Sequence, residues 1–225
     1  MILYETRKVI DMANKKSIDC NYLKFMEEYP EQFEQDSSLK IITEQEEIGE
    51  YSPRVGIKYK SPYNTMIVDL VEDLNGKKYL FERLVPTVKG EAVVVIPKFK
   101  DKYVILDQFR HASRKSLFCF PRGYGEKDIS STENAKKELC EELGIKKSDI
   151  TNVEVIGKTV ANSGLCGEEI AVVLAEISTY EFKKSETIEG VFSLTEREVD
   201  EFIRNRMFYD GISLSAWAVY KALKE

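Results

Sequence analysis

Hydrophobic and polar positions alternate along this chain in patterns that change period several times. In SIDCNYLKFMEEYPEQFEQ, Tyr22, Leu23, Phe25 and Met26 precede Pro30, which predicts a short amphipathic helix ending near the proline. LKIITEQEE carries a short strand-like run. MIVDLVEDL and KKYLFERLV alternate around Asn75-Gly76 and predict a hairpin. EAVVVIPKF reads as a continuous apolar strand and DKYVILDQFR as a second, with a turn at 100–102. SRKSLFCFPRG reads as a loop leading into a helix. Beyond that helix, TNVEVIGKTVA and EEIAVVLAEI read as strands joined by NSGLCG, and KKSETIEG as a polar loop. VFSLTEREVDEFIRNRM begins as a strand and turns helical after Thr195. ISLSAWAVYKALKE is an amphipathic helix carrying Leu214, Trp217, Ala218 and Leu223. Helices separated by antiparallel-looking strands predict an α/β (mixed α+β) sheet packed by helices.

The central helix, SSTENAKKELCEELG, holds an anomaly. Ser130 is placed to cap it, Glu133 to complete a capping box, and Gly144 to end it in the left-handed region. Ala135, Leu139 and Leu143 make its buried stripe. Glu138, Glu141 and Glu142 then crowd the negative end of the helix dipole, where each anion costs a few tenths to about 1 kcal/mol. Glu138 and Glu142 also repel as i,i+4 neighbours, and Lys137 stands before Glu141 in the weaker order for a pair. A local rule broken in this way marks a functional position, and a divalent cation would compensate it.

Composition narrows the possibilities. The chain has 225 residues, 43% hydrophobic and 32% charged, enough for a substantial core. A net charge of −6 argues against nonspecific nucleic-acid or anionic-membrane partners. No apolar run approaches the roughly 20 residues of a membrane span, and MILYETRKVIDMANKK lacks a signal-peptide pattern. Cys20, Cys119, Cys140 and Cys166 are widely spaced, with no C-x-x-C pair, and read as reduced thiols of a cytoplasmic protein. With a single histidine, His111, they supply no convincing zinc set.

Gly123, Glu138, Leu139, Glu141, Glu142, Gly144 and Ile145 fall at the spacing G-x5-E-x7-R-E-U-x-E-E-x-G-U, where U is a bulky aliphatic residue. This resembles the Nudix box. Ile129 stands where the family has its first Glu, and Lys137 where it has Arg; Glu126 and Asp128 are candidates to replace the missing carboxylate. The Q-F-R ending of DKYVILDQFR, the FPRG turn and NSGLCGEE resemble the ADP-ribose pyrophosphatase branch, although Ser163 occupies a proline position. The resemblance covers about residues 60–222. It implies a Nudix α/β/α sandwich with an N-terminal β-hairpin/helical extension. Residues 1–58 would be the extension, packed on the domain or dimer. Residues 59–225 would be the hydrolase domain, including a dimerisation hairpin at 59–88. A homodimer acting on a small-molecule nucleoside diphosphate substrate would follow.

The resemblance also implies chemistry: Mg²⁺-dependent hydrolysis of ADP-ribose or a related nucleotide sugar to AMP and a sugar phosphate, with Mn²⁺ a substitute. Glu138, Glu141, Glu142 and the backbone carbonyl of Arg122 would ligate metal. Mg²⁺ is hard, prefers oxygen ligands and keeps several waters, so a carboxylate cluster plus substrate phosphates suits it. Glu186, with Glu189 behind it, is the candidate general base, or else a solvated loop charge. Arg110, Arg122, Gly123 and Glu168 are the substrate-binding candidates. Arg110 reads as a contact to the phosphates or terminal ribose, or as a surface ion pair. Glu168 reads as a substrate or metal contact, or as a strand-edge charge. Phe118, Phe120 and Tyr124 are candidates to stack a base or to pack in the core, Trp217 belongs to the core, and His111 reads as structural or solvent-facing. The rival reading, motivated by Ile129 and Lys137, is a catalytically weakened ligand sensor. A DNA-binding regulator is disfavoured by the acidic chain, and isomerisation or decapping by missing histidines and basic groove.

Overall fold

A computed structural model describes residues 19–181 and 187–224, which form two compact units. The first comprises residues up to 87 together with 164–167; the second comprises 88–163 and 168–225.

In the first unit, helix α1 (Cys20–Glu28) is capped by Asp19, whose carboxylate accepts from the Asn21 N–H, and it ends before Pro30 as the proline dictates. Strand β1 (Leu39–Ile41), helix α2 (Gln45–Tyr51) and strand β2 (Gly56–Lys60) follow. The hairpin is formed by β3 (Asn64–Asp73) and β4 (Lys78–Pro86), paired antiparallel from Asn64↔Pro86 to Glu72↔Lys78. Its loop takes the left-handed residue that the Asn-Gly signal supplies: Gly76 has φ 73°, and the Asp73 carboxylate accepts from the N–H groups of Asn75 and Lys77. Tyr22, Phe25, Phe33, Ile42 and Ile48 bury against Ile67, Leu70 and Val85 of the hairpin, giving this unit its own core. Tyr22, Phe25, Tyr29 and Phe33 are therefore packed. Beneath them Tyr22 donates to Asp69 at 2.5 Å, and Arg83 pairs with the same carboxylate.

The second unit explains the continuous apolar runs. β5 (Ala92–Phe99) is flanked by β10 (Cys166–Ile177) in parallel and by β6 (Lys102–Arg110) antiparallel. β9 (Ile150–Asn162) pairs with β10, and β11 (Ile188–Thr195) pairs with β6. Alternate residues of β5 face opposite layers. Val93 and Val95 pack with Ala135, Leu139 and Leu143 of α3 (Ser131–Leu143). Ala92, Val94 and Ile96 pack with Val199 of α4 (Glu196–Arg204) and Trp217 and Tyr220 of α5 (Gly211–Ala222). With a helix layer on each face, every β5 position from Ala92 to Ile96 is buried, so the strand reads as apolar throughout. This is an α/β/α sandwich on a mixed sheet.

Three local expectations change. The segment read as a loop contains β7 (Lys115–Cys119), paired with β6, and the short β8 (Arg122–Gly123), paired with β5. The turn into β7 is made by Arg114 at φ 56°, a left-handed position held by neither Gly nor Asn, so the sequence lacks its usual punctuation. α2 was not foreseen; it is short, has Gly49 in its interior and has no side-chain cap. Ser130 does cap α3, accepting from the Glu133 N–H at 3.3 Å, but no capping box closes. The Glu133 carboxylate instead pairs with Lys136 and Lys147 at 2.6 and 3.2 Å.

Candidate active site

α3 aims its last two turns at the start of β8. Its leucines fix the rotation of the helix, and buried Asn134 fixes the loop beyond β8 by donating to the Tyr124 carbonyl at 2.9 Å. Glu138 is buried, and its carboxylate lies over Gly123 so closely that a Cβ there would stand 2.0 Å from Glu138 Cδ and Oε1. The absence of a side chain at Gly123 is what lets the Glu138 carboxylate rest against the backbone there. Glu142, one turn on, accepts from the Arg122 backbone N–H at 3.1 Å and lies 3.5 Å from Gln108 Nε2. Glu141 is exposed and pairs with Lys137 at 3.5 Å. Lys137 also pairs with Glu126, so the lysine in the expected arginine position has a carboxylate partner three residues before Ile129.

Burial dominates the electrostatics. It raises the Glu138 carboxyl, helped by the charges of Glu141 and Glu126 and opposed by Lys137. Burial pushes Glu142 up to about 7, with the Arg122 N–H opposing and the Glu138 charge adding.

Beside this pair opens a cavity of about 270 Å³, lined by Arg110, Arg122, Gly123, Tyr124 and Glu168, with an apolar wall that includes Ile170 and Ile212. The Arg122 guanidinium reaches Asp210 at 3.3 Å. Asp210 caps α5 by accepting from Ser213 N–H and Oγ–H at 3.1 and 2.9 Å, while Ser213 Oγ accepts from the Phe120 N–H at 2.9 Å. Arg110 donates from Nη2 to Cys119 Sγ at 3.1 Å, and its buried Nε has no partner among the described residues. Cys119, its thiol pushed up to about 11 by burial, donates to Gln108 Oε1 at 3.5 Å. Gln108 thereby presents its amide N–H groups to Glu142 and to Thr187 Oγ1.

The structure thus brings together Glu138, Glu142, Arg110, Arg122, Gly123 and Glu168, and leaves Glu141 exposed on Lys137. Glu186 lies outside the described residues. Glu189 is exposed and accepts from Ser116 Oγ at 2.9 Å. His111 is exposed, with Nδ1 2.8 Å from Arg114 Nη1. Phe120 packs on Phe208 in the core and Phe118 packs on Phe192 and Phe202, leaving Tyr124 as the aromatic candidate in the cavity wall. Trp217 is core, donating to Asp200 at 2.9 Å. Asn134, Gln108, Cys119 and Asp210 were not singled out from the sequence. Only Asp210 carried a usable signal, an Asp three residues before Ser213 at the start of an apolar-periodic segment.

Among the described residues, no three His, Cys, Asp or Glu side chains are arranged to hold a metal ion. What is present is a pair of desolvated carboxylates next to a glycine and a cationic cavity. That donor set fits Mg²⁺, which takes one or two carboxylates plus water and substrate phosphates rather than a full protein cage.

No family model matches the chain. The ADP compounds hydrolase NudE of Escherichia coli (strain K12) is 32% identical over 84 residues, which are 37% of this chain and 44% of that protein. The match therefore spans less than half of the relative. The crystal structure of an ADP compounds hydrolase is similar at a TM-score of 0.63 and 16% identity, covering 84% of this chain and 95% of that one. At that identity the likeness establishes the fold alone, an α/β/α sandwich. No helix among the described residues is long and apolar enough to cross a membrane.

Proposed function

We propose that this chain is a Mg²⁺-dependent pyrophosphatase that cleaves a nucleoside diphosphate derivative, ADP-ribose or a related nucleotide sugar, to AMP and a sugar phosphate. One observation carries the reading: two desolvated carboxylates, buried Glu138 over Gly123 and half-buried Glu142 on the Arg122 N–H, lie against residues that line a cavity holding two guanidiniums. The 84-residue likeness to an ADP compounds hydrolase supports the same substrate class. Glu138 and Glu142 would hold the metal, with the Arg122 carbonyl and Glu141 completing the set. Mg²⁺ bound there supplies Lewis-acid stabilisation of phosphate oxygens and a water of lowered pKa.

The protein's own residues do the rest. Glu142 is held beside Arg122 by a backbone N–H whose position β-pairing with Val94 fixes. Arg110, whose Nε has no partner among the described residues and whose Nη2 meets the Cys119 thiol, offers its charge to a phosphate. Arg122 is half-neutralised by Asp210 and serves orientation more than charge. Glu186 is the proposed general base. The Lys137–Glu126 pair supplies the ionic link that Ile129 cannot, which favours catalysis over a sensor. A homodimer is part of the same proposal, supported by the exposed rings of Tyr59 and Tyr63 beside the hairpin.

The test is AMP release from ADP-ribose with Mg²⁺, alongside Glu142→Gln and an EDTA control. Turnover that needs the metal and is lost in the variant upholds the proposal. Absence of turnover on a panel of nucleotide sugars, dinucleotides and triphosphates refutes it.

A further inference from the structure

Gln108 and Cys119 lie beside the carboxylate pair and take no part in the chemistry above. Their placement comes from the β6–β7 ladder. Cys119 stands opposite Leu106 and Leu117 opposite Gln108, so Cys119, Gln108 and Arg110 share one face of the sheet. On that face Cys119 packs with Leu139 and Leu143 of α3, the helix that carries Glu142.

The hydrogen bonds through this group run in one direction. Arginine has no acceptor, so at 3.1 Å its Nη2 donates and the Cys119 sulfur accepts. The thiol, which burial keeps protonated, gives its S–H to Gln108 Oε1 at 3.5 Å. The Gln108 amide nitrogen is then left to donate to Glu142 Oε1 at 3.5 Å and to Thr187 Oγ1 at 3.3 Å. A reversed amide would set its oxygen against the carboxylate, acceptor on acceptor. The second oxygen of Glu142 accepts from the Arg122 N–H at 3.1 Å. Each carboxylate oxygen thus has one protein donor, which restrains rotation about the last bond of the side chain. The Gln108 contact is long, as such contacts are before a ligand draws a site together.

We infer that Cys119 and Gln108 are positioning residues: the thiol sets the direction of the Gln108 amide, and the amide holds the Glu142 carboxylate in the orientation that takes a divalent cation. The same chain ties Glu142 to Arg110, so the side chain that meets metal and the one that meets phosphate keep one register. This rests on the pyrophosphatase reading and deepens it. Cysteine suits the position because it is apolar enough for the core around it and still both accepts and donates.

The experiment sets Cys119→Ser against Cys119→Val. Valine keeps the apolar bulk, whereas serine keeps a donor and an acceptor. Packing alone ranks valine at or above serine, because a buried hydroxyl costs free energy; positioning ranks serine above valine. Mn²⁺ affinity of the metal-free protein by calorimetry, kcat for ADP-ribose with Mg²⁺, and urea denaturation are measured for both and for Gln108→Leu. The Mn²⁺ dissociation constant should rise, and kcat fall, about tenfold or more in Cys119→Val and Gln108→Leu, the usual loss when a ligand's supporting partner is removed. Cys119→Ser should lie between these variants and wild type on both readouts, even where urea finds it the less stable protein. Cys119→Val at or above Cys119→Ser, wild-type affinity in Gln108→Leu, or no Mn²⁺ bound by wild type overturns the inference. Should Cys119→Val not fold, Gln108→Leu decides alone. The expected order of Mn²⁺ affinities in a protein that cleaves no nucleotide upholds the inference and refutes the pyrophosphatase reading. Cleavage of ADP-ribose without that order does the reverse.

Discussion

Gly123→Ala isolates the packing of glycine against carboxylate. The new methyl would lie 2.0 Å from Glu138 Cδ, where ordinary contact begins near 3.4 Å, so the carboxylate must retreat by about 1.4 Å. Gly123 does not occupy the left-handed region, so alanine is not strained there and the effect acts through Glu138 alone. The atom struck is the end of a flexible side chain, and moving it toward water relieves desolvation. The fold should therefore survive, with a melting temperature within a few degrees of wild type. Activity should not survive equally, because a displacement of about 1 Å at a reacting centre costs on the order of 100-fold. The assay is steady-state AMP release from ADP-ribose across a Mg²⁺ titration. A fall of about 100-fold in kcat, with the Mg²⁺ optimum moved to higher concentration, is expected. A variant that keeps a third or more of wild-type kcat at the same Mg²⁺ optimum would refute a working role for the Glu138 position.

Two further outcomes follow from buried charge. Because the folded-state pKa of Glu142 is raised from 4.5 to about 7, its contribution to stability is fully present below about pH 4.5 and lost as pH rises through about 7. In EDTA, Glu142→Gln should exceed wild type in stability by about 1–3 kcal/mol at pH 8 and lose that advantage by pH 5, read by urea denaturation at both values. Asp210 has two duties, so Asp210→Asn, which keeps an acceptor for the Ser213 N–H, should cost less than Asp210→Ala, which forfeits the helix cap as well as the Arg122 counter-charge. The difference between the two in chemical denaturation should be about 1 kcal/mol, the usual value of a cap.

The layers and the carboxylate pair were legible in the sequence because each left a periodic trace. The β5 run from Ala92 to Ile96 is apolar at every position, as burial on both faces requires. Glu138 and Glu142 break the dipole rule at a spacing that places them one turn apart. What the sequence hid was non-local. Asp210 lies 88 residues from the arginine it holds, and Gln108 lies 34 from Glu142. No window along the chain contains both members of such a pair. Cys119 looked like one scattered thiol of four, yet it joins Arg110 to Gln108 only because β7 pairs with β6. β7 itself escaped because its turn rests on Arg114, a residue type that does not announce a left-handed conformation.

Residues 164–167 count with the first unit although the chain on either side belongs to the second. There the Leu84 N–H donates to the Leu165 carbonyl at 2.8 Å, and Cys166 stands in register with Leu84. The polypeptide accordingly crosses between the units at three peptide links, not one. A gene cut at codon 87 cannot separate them cleanly, since the fragment upstream would lack a backbone acceptor encoded far downstream. An exchange of the first unit for another would have to carry both stretches together.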